Sequence, residues 1–76
     1  MELSEPALKI LQQAKSKVDA RLYIIMKMKN PSSSNIEEMN DSLLRIANFV
    51  DDECRLKSLD IHIKILIMNQ VIKMLS

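Results

Sequence analysis

Between Leu59 and Leu75 eleven of seventeen residues are apolar, and neither glycine nor proline interrupts them. Such a run has to be covered by something. A lipid bilayer does not fit, because His62, Lys64, Asn69, Gln70 and Lys73 break it up and a spanning helix needs about 20 mostly apolar residues. Protein is the remaining solvent for it.

Read as a helix at about 100° per residue, the run carries two apolar stripes. Ile61, Ile65, Met68, Ile72 and Leu75 follow the 4-3-4-3 spacing of a coiled-coil seam. Ile63, Ile67 and Met74 form a second stripe, with Leu59 and Leu66 on its shoulder. A helix with two such faces sits between neighbours. Alternation of Ile61, Ile63, Ile65 and Ile67 with other residues also fits a strand, since β-branched residues favour strands. Against that stands the lack of a second strand-like run and of an Asn-Gly or Asp-Gly hairpin turn.

The rest of the chain supports the helix. In 76 residues there are no glycines, two prolines, one tyrosine, one phenylalanine and no tryptophan, a composition that suits helices far better than sheets. The expected fold is all-α, one domain over residues 1–76, close to the size at which a single core needs help from disulfides, metal or association. The single cysteine, Cys54, forms no internal disulfide, and the start Met1-Glu2-Leu3-Ser4-Glu5-Pro6 has neither the basic end nor the apolar core of a signal peptide. Both point to an intracellular protein of the cytoplasm or nucleus.

Taken in order, Ser4 as N-cap with Glu5 and Pro6 in the first turn announces a helix over about residues 5–29. Ala7, Leu8, Leu11, Ala14, Val18, Leu22, Ile25 and Met26 share its apolar face, and the small Ala7 and Ala14 invite a close neighbour. Pro31 ends it, and Ser34 with Glu37 three residues later has the spacing of a capping box that restarts a helix. From Asn35 to Leu75 there is no glycine or proline, and Ile36, Met39, Leu43, Ile46, Ala47, Val50, Cys54, Ile61, Ile65, Met68, Ile72 and Leu75 stay in one sector of a straight helix. One helix of about 40 residues, roughly 60 Å, is the economical reading, laced by Asp41–Arg45, Asp51–Arg55, Glu53–Lys57 and Asp60–Lys64 pairs. The two helices form an antiparallel hairpin. A bent variant stays open, in which the chain breaks around Asp51-Asp52-Glu53 or at Ser58 and folds back as a three-helix bundle. The phase match across the break counts against it.

In the hairpin, the first helix covers the second only to about residue 60. Ten apolar side chains of residues 61–75 then overhang, and wetting them would forfeit about 1.5–3 kcal/mol each. Association follows, with Phe49, Leu56, Ile61, Ile63, Ile65, Ile67, Met68, Ile72, Met74 and Leu75 as the partner interface. The partner is a second copy, as in a four-helix-bundle-like dimer or higher oligomer, or the helical subunits of a larger complex.

Chemistry-bearing motifs are few. Cys54 and His62 are the only soft ligands, where a zinc site wants about four, so no metal is expected. His62 reads either as a pH switch between chains or as a solvated residue of the polar strip. Asp51, Asp52 and Glu53 are consecutive, so a helix points them to different sides instead of into a cleft. Without glycine there is no phosphate loop, and no nucleophile–base pair stands out, so neither catalytic residues nor a cofactor are expected. A formal net charge of +1 argues against non-specific nucleic-acid binding. The alternative function is an adaptor that touches nucleic acid or an acidic membrane surface through Lys9, Lys15, Lys17, Arg21, Lys27 and Lys29 of the first helix. The run Arg45-Ile46-Ala47-Asn48-Phe49-Val50, then Cys54-Arg55, resembles a run in the small helical Brick subunit of the WAVE actin-regulatory complex, with a shorter spacing between Phe49 and Cys54. It covers about a dozen positions, and no membership is read from it. The expected role is a non-enzymatic structural subunit.

Overall fold

A computed structural model describes residues 3–76. It is all-helical: α1 (Glu5–Ser16), α2 (Ala20–Met26), α3 (Ser33–Leu56) and α4 (Ile61–Leu75). The 24-residue α3 is the spine, about 36 Å long at 1.5 Å per residue, and it sets the 39 Å long axis of the molecule. α1, α3 and α4 pack against one another in pairs, and α2 packs on α3. The result is a three-helix bundle whose first helix is broken in two.

Both long helices expected from the sequence are therefore interrupted. The first, expected over 5–29, stops at Ser16 and restarts at Ala20. Asp19, in an extended conformation, caps the restart by accepting a hydrogen bond from the Leu22 backbone N–H at 2.8 Å. α2 then ends at Met26, a few residues before Pro31. α3 begins at Ser33, capped by Ser32 and not by Ser34: the Ser32 hydroxyl accepts from the Asn35 N–H at 3.1 Å.

The second expected helix, 35–75, is broken at residues 57–60, so the folded-back alternative is the one realised, with its turn at Ser58. The turn is a Schellman motif built without glycine. The Leu59 N–H donates to the Cys54 carbonyl at 2.8 Å and the Ser58 N–H to the Arg55 carbonyl at 3.1 Å. Ser58 takes the left-handed conformation, φ 53°, which costs a residue with a Cβ about 1–2 kcal/mol. Asp60 then caps α4, accepting from the His62 N–H at 2.6 Å.

Folding back reverses the energetic argument for an overhang. Ile67, Val71 and Leu75 of α4 join Ile46, Val50 and Cys54 of α3 and Ala7, Ile10, Leu11 and Ala14 of α1 in one core. Of the ten apolar side chains of residues 61–75 expected to overhang, the chain itself buries three and half-buries four. Ala7 and Ala14 are fully buried, as their small size suggested, and let α1 lie close to its neighbours. Ile10 is also fully buried while Leu8 is exposed. The buried arc of α1 is turned toward Ile10 because α1 has neighbours on two sides, α3 and α4.

Candidate functional site: the outer face of the last helix

The turn at residues 57–60 and the Asp60 cap fix where α4 starts, and its inner face fixes its rotation. Ile67 and Val71 are wholly inaccessible to solvent and Leu75 nearly so, while Ile63 and Met68 are half-buried against the same core. Lys64 clamps the helix from the side, its Nζ donating to Asp51 Oδ1 on α3 at 3.0 Å. Asp51 also meets Arg55 at 3.1 Å, and the hydrogen bond from Lys64, aided by the Arg55 charge, holds its carboxyl below the usual carboxylate range.

With that rotation set, Ile61, Ile65 and Ile72 face outward at 65%, 49% and 45% exposure. They lie within about 40° of one another around the helix and span roughly 16 Å along it. Just before the turn, Leu56 at the end of α3 is 77% exposed. The other exposed large apolar residues are dispersed: Leu8 on α1, Ile24 on α2, and Ile36 and Leu44 pointing to different sides of α3. Isolated apolar residues on a surface call for no explanation, whereas a row on one helix face does. His62 and Lys73 are exposed on the far side of the row, and Lys64 with its Asp51 partner borders the near side. The arrangement is an apolar ledge with a polar rim.

The structure divides the expected interface residues into three groups. Ile61, Ile65, Ile72 and Leu56 are outward. Ile63, Met68, Met74 and Phe49 are half-buried, and the Phe49 ring lies under Lys17, with Nζ 4.4 Å from its centroid. Ile67 and Leu75, expected to face a partner, are instead core residues of their own chain. Val71, like Ile10 on α1, is a core residue that sequence reasoning left out: on a straight 35–75 helix it lies between the two stripes, and only the rotation of α4 after the turn makes it central.

A cleft of about 270 Å³ lies between the α1–α2 joint and α3. Its Lys17 covers Phe49, its Asp19 caps α2 and its Arg45 donates to the Ser42 hydroxyl at 3.2 Å. The basic residues do not form one helical stripe, because the helix breaks between Lys17 and Arg21. Arg21 is moreover paired with Glu38, Nε to Oε2 at 2.8 Å, a contact that lowers the Glu38 carboxyl and raises the guanidinium. Cys54 is buried at the α3–α4 joint, and burial, with help from the Asp51 charge, pushes its thiol up, away from the reactive thiolate. Among the described residues no cluster of three or more His, Cys, Asp or Glu side chains is placed to hold a metal, and no helix is long and apolar enough to cross a membrane. Comparison with protein families, curated proteins and solved structures gives no match to this chain.

Proposed function

We propose that this chain is a non-enzymatic helical assembly subunit that associates, in the first place with a second copy of itself, through the outer face of α4. The observation that carries the reading is the row Ile61, Ile65 and Ile72, left exposed on one face by a chain that has otherwise built a continuous core. Burying these side chains in a helical partner recovers about 1 kcal/mol or more for each. A formal net charge of +1 per copy sets up little repulsion between copies. A small domain of this size also gains stability by association. The half-buried Met68 beside the row gives the surface an adaptable element.

The test is sedimentation of the wild type beside Ile61→Ser/Ile65→Ser/Ile72→Ser. Association that depends on concentration in the wild type and vanishes in the triple variant, with helicity unchanged by circular dichroism, supports the reading. A wild type that is insoluble alone and is rescued by a co-expressed helical partner would move the role from homo-oligomer to subunit of a hetero-complex.

A further inference from the structure

The position of the break in the second long helix points to a particular way for two copies to join. In the closed chain α4 is rotated so that Ile67, Val71 and Leu75 face in and Ile61, Ile65 and Ile72 face out. Were residues 57–60 helical, the same outward residues would fall in the angular sector that Ile46, Val50 and Cys54 occupy on α3, at about 100° per residue. The closed form thus leaves exposed three of the side chains that would continue the α3 seam in a straight helix, while Met68 and Leu75 of the same seam are turned toward the core.

The joint itself is built to change. Lys57-Ser58-Leu59-Asp60 contains neither glycine nor proline, so nothing in it forbids helix. The turn instead depends on Ser58 holding φ 53°, a conformation that glycine tolerates and serine does not favour. An open groove of about 210 Å³ runs beside the turn, bordered by Cys54, Leu59, Ile61 and Lys64. Leu56 and Ile61, on either side of the turn, are the two most exposed large apolar residues described. Short hinge segments under strain are where identical chains exchange an element.

We propose that residues 57–60 are a hinge, and that two copies join by straightening α3 and α4 into one long helix and exchanging α4. Each α4 then lays Ile67, Val71 and Leu75 on the α1 and α3 of the other copy, reproducing the contacts of the closed chain. The aligned seam through Cys54, Ile61, Ile65 and Ile72 lies in the new contact between the two long helices. The occupant of the α4 ledge is a second copy of this chain, which rests on the assembly reading above and adds its mechanism.

Two substitutions bias the hinge oppositely. Ser58→Gly relieves the left-handed turn and disfavours helix, and Ser58→Ala keeps the strain and favours helix. Each dimer opens two hinges, so the expected dimer dissociation constant is about a hundredfold weaker for Ser58→Gly and about fivefold tighter for Ser58→Ala than for wild type. The conformer is read by pulsed electron–electron double resonance on Cys54→Ala chains spin-labelled at exposed Asn40→Cys and Ser76→Cys, diluted with unlabelled chain. The closed hairpin holds the labels within about 25 Å, and a continuous helix separates them by about 54 Å. A long distance that grows with the dimer fraction, more in Ser58→Ala and less in Ser58→Gly, supports the exchange. Dimers that show only the short distance and are indifferent to residue 58 overturn it while leaving docking through the closed ledge intact. Monomers in all three forms overturn both.

Discussion

Lys64, one turn into α4, reaches back across the turn to Asp51 on α3, with Nζ 3.0 Å from the carboxylate. Sequence spacing suggested Asp60 as its partner, but Asp60 is occupied at the N-terminus of α4, where it accepts from the His62 backbone and lies 3.0 Å from the His62 ring. The exchange of partners follows from the turn: once the chain folds back, residue 64 lies beside residue 51.

The pair gives stability a defined pH dependence. The Asp51 carboxyl titrates below its unfolded value of about 3.9. Its contribution is therefore present in full above that value and is lost as pH falls through the folded one. Asp60, lowered by its bond from the His62 N–H, and Glu38, lowered by Arg21, act in the same direction. Urea unfolding followed between pH 6 and pH 2 is expected to show stability falling below about pH 4, and Asp51→Asn is expected to flatten that fall.

Ile65 and Ile67 stand two residues apart on one helix and separate the folded-back bundle from an overhanging one. Ile67→Ala is expected to lower unfolding free energy by about 2–4 kcal/mol, because it opens a cavity in the core. Ile65→Ala should cost the monomer about 1 kcal/mol or less. Equal small costs in chemical denaturation would mean that α4 is not packed on its own chain.

Ser58→Gly removes the cost of a left-handed serine and is expected to raise the unfolding free energy of the monomer by about 1 kcal/mol. The measurement is denaturant unfolding at a concentration where the chain is monomeric. No gain would place the turn in another conformation.

Cys54 reports opening of the joint. A thiol buried among Val50 and Ile67, with its ionisation disfavoured, should react with a disulfide reagent at pH 8 at least about a hundredfold more slowly than in urea. Ser58→Ala should speed that reaction and Ser58→Gly slow it, if exchange passes through the hinge.

Much of this fold is legible in the residues. The lack of glycine and the scarcity of aromatics give the all-α class, Ser4-Glu5-Pro6 marks the first helix, and Pro31 marks the loop between α2 and α3. The joint at 17–19 is not legible and the one at 57–60 only as an alternative break at Ser58, since neither contains glycine or proline and each depends on an aspartate cap. Asp19 and Asp60 before apolar runs were the available signals. At the second joint the phase match of the apolar stripe pointed to a continuous helix, and burial of Ile67, Val71 and Leu75 in the same chain outweighed it. Of the ledge, Ile61, Ile65 and Ile72 could be read as an outward seam, whereas Ile67 and Leu75 could not be told from it without the rotation that the turn imposes.

The α4 ledge either joins copies of the chain or stays bare in solution. Sedimentation equilibrium of the wild type and of Ile61→Ser/Ile65→Ser/Ile72→Ser over about 1–200 µM tests that. The expected result is a wild type that passes from monomer to dimer as concentration rises and a triple variant that remains monomeric with the same helicity. A single monomeric species for both proteins across the whole range would contradict it.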